Sequence, residues 1–121
     1  MRVCILAIIF LSLLNCSSDD SEPIICTDVF VYGLKITVRD SQSNSIVTEG
    51  ISVSAKDGDY EEQLTNEAQS HYFFGAGERK GTYTIEISGS AYKTFISEPV
   101  QVTADNCHVQ TEIREYSISP L

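Results

Sequence analysis

Gly81-Thr82-Tyr83-Thr84-Ile85-Glu86-Ile87-Ser88 decides the fold of this 121-residue chain. Apolar and polar residues alternate through it, which places Tyr83, Ile85 and Ile87 on one face of a β-strand, directed inward. The same period of two recurs upstream in Gly33-Leu34-Lys35-Ile36-Thr37-Val38-Arg39, with Leu34, Ile36 and Val38 on a core face and Lys35, Thr37 and Arg39 in water. Asp40 to Ser45 reads as a polar turn. Ile51, Val53 and Ala55 repeat the alternation up to Asp57-Gly58-Asp59, whose Asp-Gly step suits a tight hairpin. Tyr60 to Thr65 is then the returning strand, at a sheet edge where Glu61 and Glu62 discourage pairing with another chain.

Further along, Asn66 to Gln69 fits one helical turn, and His71-Tyr72-Phe73-Phe74 a short strand before Gly75-Ala76-Gly77. Beyond the Ser88-Gly89-Ser90 turn come a strand from Tyr92 to Ile96, an edge or strand start at Pro99, and Val100 to Val102. The last strand runs from about Cys107 to Ile118 with Val109, Thr111 and Ile113 on one face. Nothing after Val29 carries helical periodicity through to a cap. Seven or eight short strands separated by turn residues predict an all-β domain, a two-sheet Greek-key sandwich in preference to a closed barrel.

The amino end follows other rules. Arg2 is followed by an apolar run from Val3 to Leu14, then Asn15, Cys16 and the polar stretch Ser17-Ser18-Asp19-Asp20-Ser21-Glu22. About 12 apolar residues fall short of the ~20 needed to span a hydrocarbon core, so a transmembrane helix is not expected. An ordinary secretory leader is the plainer alternative. Leu13-Leu14-Asn15-Cys16, however, resembles the bacterial lipobox, with Asn where Gly or Ala is commoner. That resemblance implies cleavage after residue 15 and a lipid on Cys16, two or three acyl chains giving a lasting membrane anchor. Residues 16–24 then form a solvated tether. Its Ser/Asp run also resembles the export signal of Bacteroidetes lipoproteins, which implies an outer-membrane protein facing the cell exterior, the periplasmic face being the alternative.

Eight basic residues against 17 acidic ones give a formal net charge of −9, one unit more negative without Arg2. Such a balance repels nucleic acid and anionic headgroups, and the scattered acids serve solubility. About 106 residues after the leader suffice for a single core. Cys4 leaves with the leader and Cys16 carries lipid, leaving Cys26 and Cys107, which in an oxidising compartment are expected to pair. Closing the 80 residues between them stabilises by an amount on the order of 4 to 5 kcal/mol in the chain-entropy account. A redox pair is the competing reading, although it usually takes a close Cys-x-x-Cys spacing. Cys26 before the first strand and Cys107 at the start of the last would pin the terminal strands side by side.

Thr37-Val38-Arg39-Asp40 with Ile51-Ser52-Val53-Ser54-Ala55, then Gly81-Thr82-Tyr83-Thr84-Ile85, Ala91-Tyr92-Lys93-Thr94 and Cys107-His108-Val109-Gln110-Thr111, resemble the carboxypeptidase regulatory-like domain. The resemblance covers residues 25–121. It implies a prealbumin-like sandwich in which the glycine makes a turn and the tyrosine caps the core. It also implies a non-catalytic accessory module, found beside a zinc-peptidase domain, alone, or ahead of a transporter barrel.

Candidate chemistry is sparse. His71 and His108 are the only histidines and show no zinc-ligand spacing, so both are expected near strands, His108 half-exposed on one and His71 at a strand entrance. Hydroxyisourate hydrolases of the transthyretin-like group end in Tyr-Arg-Gly-Ser, whereas this chain ends Glu115-Tyr116-Ser117-Ile118-Ser119-Pro120-Leu121. Asp57, Asp59, Glu61 and Glu62 offer hard oxygen ligands to calcium, without the spacing of an EF-hand. Ser41, Ser43 and Ser45 lack a nucleophile elbow. Of Tyr60, Tyr72, Phe73, Phe74, Tyr83, Tyr92, Phe95 and Tyr116, most are needed for the core, with one or two free to stack on a sugar or peptide. The expectation is a lipid-anchored accessory or structural sandwich with no catalytic residues, metal or cofactor. A glycan- or peptide-binding module is the alternative and a hydrolase the third reading. Its partners are the membrane through Cys16 and envelope proteins, glycans or peptides, not nucleic acid.

Overall fold

The computed structural model describes residues 23–121. The expected leader (1–15), the lipidation site Cys16 and the tether up to Glu22 lie outside the described residues. Nine strands follow in order: β1 (Tyr32–Asp40), β2 (Ile51–Asp57), β3 (Tyr60–Gln63), β4 (Thr65–Asn66), β5 (Phe73–Gly77), β6 (Gly81–Gly89), β7 (Tyr92–Ile96), β8 (Val100–Val102) and β9 (Glu112–Ile118). They form one sheet of order β4-β5-β1-β9 and a second of order β3-β2-β6-β7, to which β8 adds by pairing with Gly81–Tyr83 of β6. Among the described residues there is no helix, and the all-β sandwich read from the alternation is the fold.

Each sheet contributes the face its period of two dictates. Leu34, Ile36 and Val38 of β1 meet Val53 and Ala55 of β2 and Tyr83, Ile85 and Ile87 of β6 in one buried cluster. Val53 lies opposite Ile87 and Ala55 opposite Ile85 across the β2–β6 ladder, so a single layer of side chains closes the second sheet. The terminal strands are neighbours: β9 runs parallel to β1 from Leu34↔Glu112 to Asp40↔Ile118. Cys26 and Cys107 are joined, their Cα atoms 5.2 Å apart, in the segments that lead into those two strands.

The structure corrects five local expectations. The strand expected from Tyr60 to Thr65 divides at Leu64, which is buried and hands the chain from the second sheet to the first; this accounts for the ninth strand. The helical turn expected at Asn66 to Gln69 is absent. Asn66 is in β4, its side-chain amide donates to the carbonyls of Ser70 and Tyr72, and this local competition replaces helical bonding. β5 starts at Phe73 and runs through the glycines to Gly77, paired with β1 from Ile36↔Phe73 to Tyr32↔Gly77, and Gly75 leaves room for Leu64, whose side chain a Cβ there would meet at 2.7 Å. Thr37 is only 7 % exposed, since β1 is an inner strand and Thr37 is flanked by Glu115 of β9.

The fifth correction concerns the last strand. Residues 107–111 are loop, so β9 starts at Glu112 and its inward set is Glu112, Arg114, Tyr116 and Ile118. Ile113, expected in register with Val109, faces solvent. One irregular step between Val109 and Glu112 reverses the face of every later residue.

Candidate ligand-binding face

Two places gather the chain's chemistry-bearing residues: the disulfide end of the sandwich and the outer face of the first sheet. At the disulfide end His108 sits in the loop before β9, not on a strand as expected. Its Nδ1 lies 2.7 Å from Glu78 Oε1 and its Nε2 3.2 Å from Thr27 Oγ1. Glu78 also accepts the Val31 N–H. Partial burial of Glu78 favours its neutral form, but the hydrogen bonds from His108 and Val31 outweigh this and hold its carboxyl below the ordinary value of 4.5. Glu78 is held at φ 49, a left-handed conformation that a non-glycine residue keeps only when its surroundings fix it.

Hydroxyl, imidazole and carboxylate thus stand in the order of a hydrolytic relay. The nearby backbone amides of Cys107 and His108 are, however, both engaged by Asp105 Oδ1 at 2.8 Å, so they are not free to stabilise an oxyanion. Those two bonds hold the Asp105 carboxyl below its ordinary 3.8. The contacts tie the segment around Thr27 to the loop that carries Cys107.

Of the four hairpin acids, Asp57 and Glu62 are engaged within the fold, while Asp59 and Glu61 are exposed. Asp57 pairs with Arg79 at 3.0 Å, and Arg79 in turn lies 3.6 Å over the Tyr60 ring and donates to the Tyr83 hydroxyl. Glu62 turns inward to accept the Ala76 N–H. Among the described residues no three of His, Cys, Asp and Glu come together in a group able to hold a metal ion. His71 is exposed in the bend before β5, at the strand entrance where it was expected.

The outer face of the first sheet carries a row of rings: Phe30, Tyr32, Phe74 and Tyr72, with centroid steps of 5.0, 5.2 and 6.1 Å. Lys35 places its ammonium 4.0 Å from the Tyr72 centroid. In the ladder Lys35 is flanked by Phe74 on β5 and the exposed Ile113 on β9. The row exists because Phe74 and Lys35 share the outward parity of their strands, while their neighbours Phe73 and Ile36, the adjacent pair in the ladder, face the core. Gly77 is needed beside it, since any Cβ there would overlap the Phe30 ring.

Tyr72 and Phe74 were among the aromatic candidates of the sequence; Tyr83 and Phe73 are core, and Tyr60, Tyr92, Phe95 and Tyr116 pack against it. Phe30 and Tyr32 were missed. The run Val29-Phe30-Val31-Tyr32 is apolar throughout, and a period of two carried back from Leu34 puts Tyr32 on the core face, so the sequence held no local signal for them. No family model matches this chain, and no curated protein matches it.

Proposed function

We propose that this protein is a lipid-anchored, non-catalytic accessory β-sandwich of the bacterial cell envelope, similar to the carboxypeptidase regulatory-like domain. It is held at the outer membrane by a lipid on Cys16, faces outward, and uses the aromatic face of its first sheet to bind a glycan. The observation that carries the binding role is the row Tyr32, Phe74 and Tyr72 with Lys35 at its side. Sugar rings present apolar C–H faces bordered by hydroxyls, and this row presents ring faces bordered by two phenols and an ammonium. On the second sheet the outward Lys56 and Glu86 are paired with each other at 2.7 Å.

The anchor is tested by labelling with a radioactive fatty acid, which wild type incorporates and Cys16→Ser does not. Orientation is tested by protease treatment of intact cells, with Asp19→Ala plus Asp20→Ala as the variant expected to become protected. Binding is tested with the detergent-solubilised protein on glycan and peptide arrays. Saturable glycan binding that Tyr72→Ala or Phe74→Ala reduces at least about tenfold supports the reading, on the scale of a lost aromatic contact. Binding confined to peptides changes the ligand class, and blank arrays leave a purely structural accessory.

A further inference from the structure

The apolar side chains left in water are not spread evenly over this domain. Ile24, Ile25, Val29 and Phe30 are 63, 89, 63 and 60 % exposed, and they account for half of the large exposed hydrophobics among the described residues within seven positions of chain. Exposure of that kind is ordinary in a loose tail, but this arm is fastened. Cys26 bonds to Cys107, Thr27 meets His108, and the Val31 N–H donates to Glu78 Oε1. Val29 and Phe30 therefore lie between two ties and Ile24 and Ile25 directly precede the first, and clustered exposed apolar residues mark a contact surface.

We infer that this arm seats the domain on the lipid surface to which Cys16 is anchored, with Ile24, Ile25 and Val29 entering the headgroup boundary. The inference rests on the lipid anchor proposed above. Reach selects the occupant: from Cys16 to Pro23 the chain spans at most about 25 Å fully extended, so this end of the sandwich stays near the bilayer whatever the tether does. The far end lies a further length of β1 away, about 26 Å for the nine residues of Tyr32–Asp40. Apolar side chains held that close to a membrane gain by entering its boundary, where interfacial segments bury to a depth of about 5–10 Å. Asp28 on the arm is exposed, keeps to the aqueous side and limits the seat to the surface. The aromatic row then starts at the membrane with Phe30 and leads outward through Tyr32 and Phe74.

Because the chain contains no tryptophan, a single introduced one reports alone. Full-length lipidated protein carrying Ile25→Trp, and a second version carrying Leu121→Trp, are reconstituted into phosphatidylcholine vesicles with acyl chains brominated near the headgroup. Both positions are highly exposed, so neither substitution disturbs the core. The seat predicts several-fold stronger quenching at position 25 than at 121. Equal quenching at the two positions, or none at 25 in protein that floats with the vesicles, overturns the seat and leaves the anchor standing. Protein that does not float overturns the anchor and the seat together.

Discussion

The two ends of the sandwich use one device and then diverge. At each end an aspartate carboxylate receives the backbone N–H groups two and three residues ahead: Asp40 from Gln42 and Ser43, Asp105 from Cys107 and His108. Past that shared turn the Asp40 end is sealed by the chain itself. Asp40 bonds to Ser45, Ser41 to Ile118, Lys93 to Ser119 and Leu121 to Ala91 through the backbone, and the Tyr92 hydroxyl donates to Asp40 Oδ2 at 3.0 Å. The Asp105 end has backbone bonds of its own, Asp105 to His108 and Gln110 to Thr103, and adds a disulfide and the His108–Glu78 and Arg79–Asp57 pairs, where the Asp40 end has the Arg39–Glu115 pair. What separates the two ends is the cross-link and the exposed apolar residues beside it, Ile24, Ile25, Val29 and Phe30, against Leu121 alone at the Asp40 end.

The largest effect expected from breaking this contrast comes from the disulfide. Cys26→Ser with Cys107→Ser releases a loop of sequence separation 81. The loss is on the order of 4 kcal/mol in the chain-entropy account, and the melting temperature falls by at least about 15 °C. Calorimetry checks the midpoint, and hydrogen exchange checks the location. Protection should vanish around Thr27 to Val31 while the amides of β6 remain protected until global unfolding. An unshifted midpoint would show that the fastening carries no stability.

A pair of glycine substitutions separates the two ends at the next scale down. Gly33, near the disulfide end of β1, has no room: an added Cβ would sit 2.7 Å from Val102 Cγ1 and 2.9 Å from the Ala76 carbonyl oxygen. Gly33→Ala is expected to cost about 2–3 kcal/mol through overpacking against backbone that cannot yield. Gly50, in the loop at the other end, has nothing within 4 Å but is held at φ +74. Gly50→Ala is expected to cost about 1 kcal/mol of backbone strain, and Gly50→Asn less, because asparagine tolerates the left-handed region. Denaturant titrations that rank the two alanine variants the other way would remove the packing argument at Gly33.

These positions also mark where sequence reading succeeds and stops. Tyr83, Ile85 and Ile87 were legible because a buried face with a period of two needs only local pattern, and all three are fully buried. The Cys26–Cys107 pair followed from counting thiols. Ile113 was misplaced because a one-residue irregularity in the loop before β9 leaves no compositional trace, yet inverts every later side chain. The candidate face was half legible: Tyr72 and Phe74 stand in an evident aromatic run, whereas Phe30 and Tyr32 join them only through the β1–β5 pairing between residues some 40 positions apart. Glu78 and Thr27 likewise meet His108 through tertiary contact alone.

The smallest effect expected is the response of the two turns to acid, and it tests whether they are equivalent. Asp40 is held below its ordinary 3.8 by the Ser43 and Gln42 amides, and Asp105 by those of His108 and Cys107. At neutral pH both carboxylates are ionised in the folded and unfolded chain alike, and their hydrogen bonds contribute in full. As pH falls toward 3.8 the unfolded chain takes up protons first, so stability declines until the folded carboxyls are protonated as well. Asn keeps an acceptor oxygen for the same turn but has no proton to gain, so Asp40→Asn and Asp105→Asn should each flatten the decline between roughly pH 5 and 3. Melting temperatures measured across that range check it. The flattening should be the smaller for Asp105→Asn if the disulfide already holds its loop, because a turn fixed by a covalent bond depends less on its cap. Equal flattening would mean that the cross-link and the Asp105 cap stabilise that end independently.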